Sequence, residues 1–410
     1  MPLLQSLAER ALRRRLAALR TGVLVLRDGA AETRFGHGTG EAAVVDVRDR
    51  RFYPAVALGG SVGAGESYAD GWWTCLDPAA VVRLFLNNHD ALEGLEGGWA
   101  SPARAARRIA HLLRRNTRGG SRRNISAHYD LPAEFFAAFL DDTLTYSCAV
   151  FERPGASLRE ASLAKHERIC RLADLAPGHH VLEIGTGWGG FALYAAERFG
   201  CRVTTTTISQ EQFALATRRV AAAGLADRVT VLDRDYRDLT GQYDRLVSIE
   251  MIEAVGPEYL PTFFERCAAL LVPEGRMALQ AITIRDDRYE AALRETDFIK
   301  RHIFPGGAIF SLTALCQAAS RTDLRLLHAD DIGPHYVETL RRWRANLRAS
   351  WPGLLARGFD ERLLRLWEFY FCYCEGGFAE GYLGDVQLAF ARPGAVAART
   401  PWAARPGAPA

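Results

Sequence analysis

Val181-Leu-Glu-Ile-Gly-Thr-Gly-Trp-Gly-Gly190 reads as a short apolar strand carrying one acid, followed by a glycine turn that opens a helix. Gly185, Gly187 and Gly189 let the backbone turn tightly and approach a ligand that a Cβ would exclude. Dinucleotide folds use a similar turn, so the glycines alone leave the ligand open. The next strand decides. An NAD site asks for an acid roughly 20 residues further on, to hold the ribose hydroxyls. Here Cys201-Arg-Val-Thr-Thr-Thr-Thr-Ile208 ends in hydroxyls and carries no acid. Glu183, just ahead of the turn, suits S-adenosylmethionine (SAM), whose methionine amino group is a cation and which has no pyrophosphate. The stretch therefore points to SAM over NAD.

Outward from the turn, strand and helix patterns alternate from Leu158 onward, with strands expected at 180–184, 201–207, 228–232, 243–250 and 275–282. Such alternation predicts a parallel sheet covered on both faces, with ligands at the carboxyl ends of its strands. Upstream, Val45–Arg48 and Phe52–Leu58 alternate at a strand's period. Asp77 to Asn88 reads as a helix, with Asp77 as N-cap and Pro78 in the first turn.

At 410 residues the chain has room for a full α/β domain and a second unit. No apolar run approaches the ~18 residues of a membrane span, and the N-terminus lacks a signal peptide's pattern. A cytoplasmic protein is expected. Eight cysteines are scattered from Cys75 to Cys374 without metal-ligand spacing, which reads as free thiols and no metal site. The net charge is only +3, yet Arg104–Arg123 holds eight arginines and Arg10–Arg20 five, with no acid in either. A solvated helix face and linker is the plain reading. Attraction to anionic headgroups, at ~1 kcal/mol per basic residue, is the functional one. No nucleic-acid reader motif accompanies the charge, so nucleic acid is not an expected partner.

Further segments together resemble the cyclopropane-fatty-acyl-phospholipid synthases. They are His128-Tyr-Asp-Leu131, Leu144-Thr-Tyr-Ser-Cys-Ala149, Thr207-Ile-Ser209, Met251-Ile-Glu253, His302-Ile-Phe-Pro-Gly-Gly307 and Phe369-Tyr370, in matching order over 125–392. Gly65-Glu-Ser-Tyr-Ala-Asp-Gly-Trp-Trp73 is similar to the N-terminal domain of the longer bacterial members. The resemblance implies a SAM-dependent enzyme acting on cis double bonds of unsaturated phospholipid acyl chains, working at the membrane surface. It implies cofactor contacts at Tyr129, Tyr146, Ser147, Glu183, Gly185, Gly187, Thr207 and Gln212. It also implies a bicarbonate pocket from Cys148, Glu253, the Ile282 backbone and Tyr370.

One member of that pocket departs from the pattern: Gln280 stands where the family has a histidine. An amide donates and accepts hydrogen bonds but has no protonatable ring. Either bicarbonate still binds and Gln280 orients it, or a carboxylate of the chain serves as base, with Glu250 and Glu375 as candidates. A displaced base would also permit a methyl- or methylene-branched product in place of a ring. A catalytically silent lipid-binding protein is the competing class.

The expectation is thus an α/β protein with a seven-stranded Rossmann-like SAM methyltransferase domain over 121–395. A smaller α+β domain over 1–120, with its arginine-rich linker, precedes it, and a disordered tail over 396–410 follows. It is expected to associate peripherally with the anionic inner face of the membrane, as a homodimer.

Overall fold

The computed structural model describes residues 2–38, 41–89 and 131–397. The arginine-rich stretch 104–123, Tyr129 and the residues beyond 397 lie outside the described residues. The chain divides into two units assembled from separate stretches. One comprises Met1–Leu140, Asp287–Gly307 and Gly333–Gly384; the other comprises Asp141–Asp286, Ala308–Ile332 and Asp385–Ala410.

The first unit opens with the helix Pro2–Leu16 and a four-stranded sheet of order β2-β1-β3-β4. Its strands are β1 (Gly22–Asp28), β2 (Ala31–His37), β3 (Ala43–Val47) and β4 (Trp73–Thr74). The segment expected as a strand at Phe52–Leu58 is instead the start of a helix, Phe52–Ala69. Phe52 and Tyr53 are buried as neighbours, which a strand's alternation does not allow, and Ala55 and Ala57 favour a helix, which kinks at Gly60 where φ is +58°. Asp77 caps the helix Pro78–Leu86 as expected, accepting the Ala79 N–H at 3.2 Å. The unit's core is aromatic. Phe135, Phe136 and Phe139 pack edge-on against Trp343, Trp367 and Phe371 from the helices Gly333–Ala356 and Glu361–Ala379.

The second unit is an α/β layer structure of the Rossmann-like kind. Its seven strands are β5 (His180–Ile184), β6 (Arg202–Thr207), β7 (Val229–Asp233), β8 (Tyr243–Ile249), β9 (Leu271–Ile284), β10 (Arg325–Asp331) and β11 (Leu383–Ala391). Their order is β10-β11-β9-β8-β5-β6-β7, with β10 antiparallel to β11 and the run from β9 to β7 parallel. From β5 the chain winds to β6 and β7, then returns to β8 and β9 on the other side. The order reverses between β5 and β8, and a ligand crevice opens at such a switch point. Val181, Val203 and Val247 pack there with Phe191, Ala192 and Ala195 of the helix Gly190–Phe199.

The helix Leu158–Leu172 begins with a capping box in which Ser157 and Glu160 bond each other's backbone N–H. Such a cap contributes ~1 kcal/mol. The helix's buried stripe contains Leu158, Ala161, Ile169 and Cys170, and also Lys165, a cation where a core helix calls for an apolar side chain. Among the described residues no helix is long and apolar enough to cross a membrane.

Candidate active site

At the carboxyl end of β5, Gly185, Gly187 and Gly189 adopt φ of +104°, +51° and +88°. The N–H groups of Gly185 and Thr186 both donate to Thr206 O at 3.0 Å, which pins the turn to the end of β6. The glycines differ in what surrounds them. A Cβ on Gly185 would come within 2.9 Å of Met251, whereas one on Gly187 would meet no protein atom. Gly187 therefore faces open space, as a backbone reserved for a ligand should.

Glu183 lies beneath the turn, 2 % exposed, and accepts from Thr205 Oγ1 at 2.5 Å. Burial pushes its carboxyl up to about 8, with the Thr205 bond and the Lys165 charge pulling the other way. It is thus a neutral acid at pH 7 that an incoming cation would ionise. Thr207 ends β6 and donates to Gln212 Oε1 at 2.8 Å, while Ser209 caps the helix Gln210–Ala222. Buried acid, open glycine and hydroxyl-bearing strand end fit the amine, the close backbone approach and the ribose of SAM.

The loop after Leu140 brings Tyr146, Ser147 and Cys148 into the same unit. Asp141 holds it by accepting from Thr143 N and Ser162 Oγ, and Arg219 ties it to the glycine turn. The Arg219 guanidinium donates to Trp188 O at 2.7 Å and to Thr143 O at 3.0 Å. Ser147 is buried and accepts from Lys165 Nζ at 2.7 Å. Burial lowers the Lys165 ammonium and raises the Cys148 thiol well above its ordinary value. Cys148 is therefore a neutral thiol, and its backbone amide is its useful donor.

Three carboxyl groups gather at the ends of β8, β9 and β11. Glu250, held at φ +45°, accepts the Cys148 N–H at 2.8 Å and Gln280 Nε2 at 2.7 Å on the same oxygen. A side chain in that left-handed region is strained, and such strain clusters at functional sites. Gln280 Nε2 also donates to Asp385 Oδ2 at 3.0 Å, and Gln387 Nε2 donates to Gln280 Oε1 at 3.0 Å. Glu253 accepts the Ile282 N–H on Oε1 at 2.6 Å; the residue is partly exposed, yet its Oε2 is sealed from solvent without a hydrogen bond. Burial, then the Glu250 charge, raises Glu253 to about 8. At neutral pH Glu253 is an acid whose proton sits on the unpartnered oxygen.

Tyr370 and Glu375 belong to the other unit. Tyr370 is 5 % exposed and packs edge-on against Trp367 at 5.4 Å between centroids. Glu375 pairs with Arg341 at 2.9 Å and Arg344 at 3.1 Å. His302, from the segment matched in sequence, meets Glu66 at 2.9 Å.

The residues that sequence reasoning passed over are Arg219, Lys165, Asp385 and Gln387. A signal existed for the last two: they are polar at i and i+2 in β11, Leu-Gly-Asp-Val-Gln-Leu-Ala-Phe-Ala, whose other inner positions are apolar.

Fold and site define a SAM-dependent methyltransferase. A family model described as mycolic acid cyclopropane synthetase matches residues 116–388, and the chain belongs to that family of cyclopropane synthases. A tuberculostearic acid methyltransferase of Mycobacterium tuberculosis is 42% identical over 343 residues, 82% of this chain and 80% of that protein. The cyclopropane-fatty-acyl-phospholipid synthase of Escherichia coli K12 is 34% identical over 88% of this chain and 91% of its own. Among solved structures, a mycolic acid cyclopropane synthase complexed with S-adenosylhomocysteine (SAH) superposes with a TM-score of 0.62 at 32% identity, covering 66% of this chain and 98% of that one.

Proposed function

We propose that the chain transfers a one-carbon unit from SAM to the cis double bond of an unsaturated phospholipid acyl chain, closing a cyclopropane ring. The observation that carries this reading is the open cradle at Gly187 over the buried Glu183, at the switch point of the sheet and in one unit with the acid-lined pocket. SAM supplies an electrophilic methyl carbon. An alkene is a weak nucleophile, so the residues must align it and keep water out. Arg219 fixes the loop bearing Tyr146 to Cys148 against the turn. Glu253, anchored by the Ile282 amide, would keep its proton on Oε2 and donate a hydrogen bond from it to a bound bicarbonate, which stays the base in this reading. Tyr129 and Tyr370 take cofactor and bicarbonate roles by family resemblance.

A second reading is favoured by one observation. Glu250 already occupies two donors of the pocket, the Cys148 amide and Gln280. A carboxylate of the chain then stands in for bicarbonate and accepts the proton. With the base moved, a hydride shift followed by proton loss gives a methylene-branched chain, or a methyl-branched chain that keeps one double bond. The relative at 42% identity bears a methyltransferase name, which agrees with this branch.

Mass spectrometry of lipids from cells expressing the chain, with ring and branched isomers separated, tests both. A gain of roughly 14 daltons, one CH₂ from a one-carbon donor, is expected on unsaturated acyl chains. A ring supports the first reading and a branch the second; no gain refutes both and leaves a lipid-binding protein.

The same reading places the protein in the cytoplasm, as a homodimer on the inner face of the membrane. Leu4 and Leu7 are exposed on the helix Pro2–Leu16, whose last turn carries the exposed Arg14 and the half-buried Arg15, a pattern suited to an anionic lipid surface. Binding to anionic vesicles should weaken with salt; salt-independent binding would remove the electrostatic part.

A further inference from the structure

We propose that Asp385 works as a neutral acid, keeping its proton while accepting from Gln280, and so holds Glu250 as the single aimed anion beneath the Cys148 amide. It is a positioning residue, and this role rests on the reading in which Glu250 is the base.

The direction of the network fixes the protonation. Arg168 can only donate, and its Nε donates to Gln387 Oε1 at 2.6 Å. Gln387 therefore turns its nitrogen to Gln280 Oε1, and Gln280 turns its own nitrogen to the acids. That nitrogen has two hydrogens, and both are used, on Glu250 Oε1 and Asp385 Oδ2. The two carboxyl groups thus converge on one amide nitrogen, and Asp385 Oδ1 is buried and receives no donor. Two carboxylates only accept and would repel there, and a proton on that unpartnered oxygen relieves the repulsion.

The proton belongs to Asp385. Glu250 Oε1 accepts two donors, the Cys148 amide and Gln280, whereas Asp385 accepts Gln280 alone. Asp385 is 0 % exposed, and its backbone N–H goes to Asp331 Oδ1. The groups facing it are Glu250 from the end of β8, Glu253 from the turn that follows, the Cys148 thiol from its loop, Asp331 from β10 and the cation Lys165 from the helix Leu158–Leu172. Negative charge predominates among them, which disfavours a second anion.

Asp385→Asn tests this, because asparagine donates and accepts like a protonated aspartate yet cannot ionise. The parent should lose turnover at alkaline pH as Asp385 deprotonates. Asp385→Asn should keep most of the turnover, measured as SAH release, and lose that alkaline decline. Asp385→Leu should cost about a hundredfold in kcat, the scale of a misaimed group, with KM for SAM unchanged. Asp385→Asn as inactive as Asp385→Leu would overturn the proposal. Infrared spectroscopy gives a readout that does not need turnover: parent minus Asp385→Asn should show the carbonyl stretch of a protonated acid at neutral pH. Its absence would also overturn the proposal. A parent that releases no SAH while showing the band would instead sink the functional reading and leave the protonated Asp385 standing.

Discussion

Each unit of the molecule gathers a group of acids, and the two groups are partnered in opposite ways. In the first unit Glu375 is paired with Arg341 and Arg344, and Glu368 with Arg348 and the Tyr68 hydroxyl at 2.7 Å. Arg344 also reaches Asp77 at 2.9 Å, so one guanidinium serves the cap of one helix and the side of another. In the second unit Glu250, Glu253 and Asp385 share amide donors and a single neighbouring cation, Lys165, among the groups that act on them. Glu375 is raised by burial but drawn back by its arginines, while Glu253 is left at about 8. Acids matched by arginine hold elements together. Where positive charge is short, Glu253 and Asp385 are pushed toward their protonated forms, and such groups are the ones equipped for chemistry.

The sharpest way to break this contrast is Arg344→Ala. It takes one of two arginines from Glu375 and the guanidinium from the half-exposed Asp77, and should cost about 1–3 kcal/mol in urea unfolding. Glu375→Gln then separates the two roles proposed for that residue. The arginine pairing predicts reduced stability with turnover per folded molecule kept, whereas abolished turnover would make Glu375 the base.

A smaller effect concerns Glu253. Its folded value lies above the ordinary 4.5, so its contribution to stability is full below 4.5 and is lost as pH rises through about 8. The slope in that window should approach about 1.4 kcal/mol per pH unit for one such group. Glu253→Gln should flatten it in unfolding curves taken across the window; an unchanged slope would mean that Glu253 is ionised throughout.

The smallest change in stability distinguishes the two glycines. Gly187→Ala should cost about 1–2 kcal/mol from its left-handed backbone, yet weaken SAM binding in calorimetry, because its Cβ projects into open space. Gly185→Ala must also displace Met251 and should destabilise more. Unaltered SAM affinity in Gly187→Ala would remove the cradle from the account.

Much of the second unit was legible in sequence. The strands expected at 180–184 and 243–250 are β5 and β8 to within a residue, because buried parallel strands are short apolar runs bounded by turns. Glu183 and the glycine turn were readable for the same local reason. Phe52–Leu58 misled because a short apolar run fits either period until its neighbours are known. The grouping of 287–307 and 333–384 with the N-terminal sheet is not written in local periodicity at all. Gln280 stood out as a departure, but its meaning depends on Asp385, which lies 105 positions away along the chain. Arg219 is likewise an unremarkable helix arginine until the loop it binds, 76 residues earlier, folds against it.

Release of SAH on mixing the purified protein with SAM and phospholipid vesicles tests the central claim most directly. SAH should accumulate with vesicles whose acyl chains carry cis double bonds and stay at background with fully saturated ones. Equal release from both, or none from either, would contradict methyl transfer to an olefin.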